Sequence, residues 1–138
     1  MNTKERYHRL ISNLEARGFS FEEANQLRRI EMTLQRWSEK ECGDSDNYKS
    51  WGIERDEETE KPFMVIHPHD SNNTRRYAIA DREKGALRRL AKIMEKHPEY
   101  VSYHQGDPRG CALYIVAKSD LNGHDINSVY TRGLAVCD

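Results

Sequence analysis

At 138 residues the chain has room for one ordinary domain spanning residues 1–138, and 36% hydrophobic against 33% charged residues leaves it a modest core. Its 22 Lys and Arg against 23 Asp and Glu give a net charge of −1, which excludes both a strongly basic nucleic-acid coat and a highly acidic DNA mimic. No stretch of about 18 apolar residues occurs and residues 1–8 lack an apolar signal core, so no membrane partner is expected. Three cysteines, at 42, 111 and 137, are too few and odd in number for a disulfide framework, which points to reduced thiols and a cytoplasmic setting.

Tyr7, Leu10, Ile11 and Leu14 fall at helical spacing, with Gly18 just beyond as a stop, and predict a first helix over about residues 3–16. Ser20 followed by Glu23 reads as a capping box. Ala24, Leu27, Ile30, Leu34 and Trp37 then keep three- and four-residue steps and predict a helix near 21–41. The pair resembles the opening of a helix-turn-helix, but the second helix is too long and no short recognition helix follows.

Residues 43–46 are turn-forming, Trp51 and Ile53 alternate with polar residues, and Asp56 to Glu60 form a charged tip before Pro62. Phe63–His67 reads as an apolar strand and Arg75–Ala80 as a third, giving a meander with a polar loop from His67 to Thr74. Asp81 caps a helix carrying Ala86, Leu87, Leu90 and Met94, ended by Pro98. Tyr100–Gln105 and Cys111–Ala117 flank a five-residue turn at 106–110 and read as a hairpin. Asn122-Gly123 turns again before a final strand over Val129–Val136. The expected fold class is α+β: an N-terminal helical pair, an antiparallel sheet of about six strands and one further long helix.

Charge is unevenly spread behind the neutral total. Arg29, Arg36 and Lys40 lie on one stripe of the second helix, and Arg82, Arg89, Lys92 and Lys96 share a face of the third long helix. Side by side, these stripes would bind phosphates, with Tyr48, Trp51 or Tyr77 as stacking surfaces, the arrangement of a single-stranded nucleic-acid-binding protein. The plainer reading is that they are the solvated outer faces of amphipathic helices.

Tyr103 to Cys111 is the densest polar cluster. A tight hairpin would set His104 beside Cys111, the minimum for a small enzyme with a thiol nucleophile, while Arg109 held an anion. No third orienting residue is identifiable, and a cysteine opening the apolar run Cys111-Ala-Leu-Tyr-Ile-Val is usually a packing residue, so a non-enzymatic role is favoured. Tyr103, His104, Asp107 and Arg109 then become candidate contacts to a partner, together with Arg29, Arg36, Arg89 and Lys92. His67 and His69 form an H-x-H pair that would ligate a metal, but the chain lacks the spacings of known zinc sites, and no metal is expected. Both glycine-rich phosphate-binding motifs are absent, so no cofactor is expected either.

Four blocks carry a resemblance: Met32-Thr-Leu-Gln-Arg-Trp-Ser-Glu-Lys-Glu-Cys42-Gly-Asp, Ile53-Glu-Arg-Asp-Glu-Glu, Asp81-Arg-Glu-Lys-Gly-Ala-Leu-Arg-Arg and Tyr103-His-Gln-Gly-Asp-Pro-Arg-Gly-Cys-Ala-Leu-Tyr. In that order, across about residues 20–117, the chain resembles a family of small uncharacterised proteins of bacteriophages, prophages and plasmids. The resemblance implies an accessory factor in a bacterial host cell that binds a host or phage macromolecule, a class that includes inhibitors of defence systems. A host or phage protein is the expected partner, with nucleic acid as the alternative.

Overall fold

A computed structural model of the chain describes residues 2–42, 48–59, 61–68, 75–78, 81–106 and 111–137. Two helices lead, α1 (Thr3–Ala16) and α2 (Phe21–Cys42). The Asn2 side chain accepts the Glu5 amide at 2.9 Å and caps α1, whose stripe of Leu10, Ile11 and Leu14 is buried. Gly18 ends the helix at φ +95°, a left-handed turn that side chains resist. The capping box forms as its spacing predicts: the Ser20 amide donates to Glu23 Oε1 at 2.8 Å and the Glu23 amide to Ser20 Oγ at 3.0 Å. Polar contacts flank the apolar seam between the helices, with the Tyr7 hydroxyl donating to Asn25 and the Arg28 guanidinium 5.1 Å above the Tyr7 ring.

β1 (Tyr48–Arg55), β2 (Pro62–Pro68) and β3 (Arg75–Ala78) make the expected antiparallel meander. Asp56 shapes its first tip by accepting the amides of Glu58 and Thr59, both at 2.9 Å. Period-two alternation splits the two long strands cleanly. Trp51 and Met64 are fully buried beneath the helices, while Gly52, Glu54, Val65 and His67 share the opposite face. α3 (Asp81–Glu95) follows and packs antiparallel to α2, burying Ala86, Leu90 and Ile93.

The α+β class stands, but the strands divide differently from the single sheet of about six expected. β4 (Tyr100–Tyr103), β5 (Gln105–Gly106), β6 (Tyr114–Ala117) and β7 (Leu134–Ala135) complete two antiparallel sheets, ordered β3-β2-β1-β5 and β4-β6-β7. The extended segment changes sheets at His104: Tyr103 still pairs with Tyr114, whereas Gln105 and Gly106 pair with Gly52 and Trp51. Glu31 explains why the predicted hairpin opens there. Its carboxylate, only 5% exposed on α2, accepts the Ala112 amide at 3.2 Å and draws Cys111, Ala112 and Leu113 into the core.

The strand expected over Val129–Val136 is also corrected. Asp125 accepts the Asn127 amide at 3.2 Å and starts α4 (Ile126–Val129), and a 3-10 turn over Tyr130–Arg132 leaves Leu134–Ala135 as the strand. A local cap outweighs the alternating pattern here. One apolar cluster joins these parts, running from Leu14 and Leu34 through Trp51 and Leu90 to Ile115 and Val136. Each such side chain contributes about 1.5–3 kcal/mol on burial. Residues 43–46, most of the loop expected over His67–Thr74 and residues 107–110 of the turn expected at 106–110 lie outside the described residues.

Candidate functional site

The cationic stripe of α3 borders a groove. This groove, of about 530 Å³ between α2 and α3, is lined by Ser20, Glu22, Glu23 and Gln26 from one side and Arg89, Lys92, Ile93 and Lys96 from the other. Glu22 lies seven residues before Arg29 and Arg29 seven before Arg36, so these three share one face of α2, and the groove touches its acidic end. Arg29, Arg36, Arg89, Lys92 and Lys96 are all exposed; Arg89, Lys92 and Lys96 face the groove opposite Glu22 and Glu23, and Arg29 and Arg36 are not among its lining residues. Of the stacking residues expected beside the stripes, Trp51 is 1% exposed and belongs to the core instead. The side chains of Lys40, Tyr48, Tyr77 and Arg82 lie outside those described.

Tyr103, His104 and His67 come together elsewhere. They line a groove of about 520 Å³ whose floor is the outer face of β1 and β2 (Gly52, Glu54, Val65) and whose wall is α4. The Tyr103 hydroxyl donates to Asn127 Oδ1 at 3.0 Å, and its ring stacks on Tyr130 at 4.3 Å with Tyr114 edge-on to both. This fixes the wall rigidly. His104 sits at the crossing between sheets and also borders a smaller cavity of about 230 Å³ with Ile53, Leu87 and Met94.

Cys111 stands apart from that groove. Its thiol is buried, within reach of Leu113 O at 3.1 Å and Glu31 Oε1 at 4.0 Å, and accepts the Cys137 amide at 2.9 Å. A hydrogen bond with the Cys137 side chain, then burial, push the thiol well above the usual range for cysteine. Protonated sulfur is a poor nucleophile. Glu31 itself was not singled out from the sequence, although Leu27, Glu31 and Leu34 fall at i, i+4 and i+7, so a carboxylate in the apolar stripe was the signal.

Asp107, Arg109 and His69 lie outside the described residues. His67 is exposed on β2, and among the described residues no three His, Cys, Asp or Glu side chains are grouped to hold a metal. Among the same residues no helix is long and apolar enough to cross a membrane. Comparison with protein-family models, curated proteins and solved structures gives no match.

Proposed function

We propose that the protein is a non-enzymatic accessory factor of a bacteriophage or mobile element, acting in the cytoplasm of the bacterial host by binding a host or phage macromolecule, such as a component of a defence system. The α2–α3 face is the contact surface. The observation that carries this is the exposed cationic row Arg89, Lys92 and Lys96 along the α2–α3 groove, with Arg29 and Arg36 exposed on α2; the mobile-element setting rests on the four resembling blocks. An acidic protein surface suits the row best. Single-stranded nucleic acid is the second reading, favoured by the same cations, but with Trp51 in the core it lacks one of the aromatic platforms that reading needs. An enzyme built on His104 and Cys111 is disfavoured because the buried thiol stands apart from the groove that His104 lines.

Affinity capture from host lysate, with and without nuclease, tests the proposal when run with the wild-type chain and an Arg29→Glu/Arg89→Glu variant. A protein that survives nuclease and is lost with the variant supports it. Capture abolished by nuclease transfers the face to the second reading, and capture unaffected by charge reversal removes the face from function.

A further inference from the structure

Cys111 and Cys137 meet at a place that the basic face does not use. Leu134 and Ala135 pair with β6, and the Val136 amide donates to Leu113 O at 2.9 Å, so residues 134–137 are strapped back toward the start of that strand. The strap delivers the Cys137 amide to Cys111 Sγ at 2.9 Å. Both residues stand as thiols, in unequal settings: Cys111 is 3% exposed and Cys137 is exposed. The Glu31 carboxylate lies 4.0 Å from the buried sulfur.

We propose that Cys111 and Cys137 form an oxidisable dithiol site for low-molecular-weight disulfides, in which exposed Cys137 is the entry thiol, buried Cys111 resolves, and Glu31 accepts the Cys111 proton. The Cys137 thiolate attacks one sulfur of the reagent, whose S–S bond breaks to release one thiolate and leave a mixed disulfide. Cys111 then gives its proton to Glu31 and attacks Cys137 Sγ, and the second half of the reagent leaves as a thiolate that is protonated from Glu31 or water. Two protein thiols are oxidised and one small disulfide is reduced to two thiols. The order follows from the contacts. Cys137 is exposed and meets the reagent first, whereas Cys111 is buried with its sulfur 2.9 Å from the Cys137 amide and 4.0 Å from Glu31, placed to attack once Cys137 is capped. The new bond closes a loop that contains β6, α4 and Tyr130, the wall beside Tyr103.

The test is incubation of the full chain with oxidised glutathione, followed by intact-mass measurement and peptide mapping without reductant. The expected product has lost two hydrogens, links Cys111 to Cys137, and melts several degrees higher because the closed loop restricts the unfolded chain. Cys42→Ser should react identically. Cys111→Ser should stop at a glutathione adduct on Cys137, Cys137→Ser should leave Cys111 unmodified, and Glu31→Gln should prolong the mixed disulfide. A persistent adduct on Cys137 in the wild-type chain, an internal bond to Cys42, or no reaction at Cys137 overturns the proposal, and an unchanged adduct lifetime in Glu31→Gln overturns the role of Glu31.

Discussion

His97 Nε2 meets Glu23 Oε1 at 3.0 Å, so the residue just past α3 is bound to the residue that caps α2. The imidazole also lies against the Phe19 ring, with centroids 4.0 Å apart. One carboxylate thereby serves a helix start, a helix end and the acidic limit of the basic groove.

Glu23 should make stability depend on pH. Burial alone would raise its pKa, but the Ser20 amide hydrogen bond and the hydrogen bond and charge of His97 outweigh it, and the carboxyl titrates below its ordinary value of 4.5. The folded chain therefore binds this proton less readily than the unfolded chain. Its contribution is complete above that ordinary value and is lost as pH falls through the lower folded one. Glu23→Gln should cost about 1 kcal/mol at about pH 7 and progressively less in acid, as pH falls below the ordinary value of 4.5. Urea unfolding at neutral and at acid pH measures the gap, and an equal gap in acid refutes a charge-based role.

Arg89→Ala/Lys92→Ala should discriminate the two partner classes by salt. If the face binds single-stranded nucleic acid, losing two phosphate contacts flattens the slope of log K against log salt by roughly 1.4. On the protein reading the same change mainly slows association at low salt. Titration of a labelled oligonucleotide and of the captured protein over a salt series separates these outcomes.

Glu31→Ala should be severe. It strips the Ala112 amide of its buried acceptor and leaves a void under α2, at a combined cost of roughly 2–4 kcal/mol. Glu31→Gln retains an acceptor oxygen and should lose about half of that or less. Equal losses in chemical denaturation would show that charge, rather than the hydrogen bond, sets the cost.

Gly133 and Gly123 should respond to alanine for different reasons. A Cβ on Gly133 would stand 2.6 Å from Ile115 O and 2.9 Å from Val116 Cγ2, pushing residues 133–135 off β6 at roughly 2 kcal/mol or more. At Gly123 the space is open but φ is +83°, so Gly123→Ala should cost about 1 kcal/mol from the backbone alone. Comparison of melting temperatures ranks them, and a larger loss at Gly123 would contradict the packing account.

The helices were legible because their signals are local: Ser20 with Glu23, Gly18 at its left-handed turn, Pro98 after the last turn of α3. The cationic stripes were legible too, since spacing fixes a helix face. Which of them borders the α2–α3 groove was not, because that depends on how α3 packs on α2. The division into two sheets was hidden for the same reason, as Gln105 and Gly106 find their partners in Trp51 and Gly52, far back in the chain. Val129–Val136 misled because its alternation competes with the Asp125 cap, and the meeting of Cys111 with Cys137 required the strap along β6.

The crossing at His104 also bears on self-association. Among the described residues β5 pairs with Trp51 and Gly52 of the eight-residue β1, midway along that strand's outer edge, and the far side of the sheet ends on four-residue β3 with Arg75 and Arg76. The second sheet ends on β4 and β7, of four and two residues. A foreign strand needs a long, flat, uncharged margin to take up register. Short, broken and charged margins deny it one, so concentrated solutions of the chain should resist fibril growth by edge-to-edge addition.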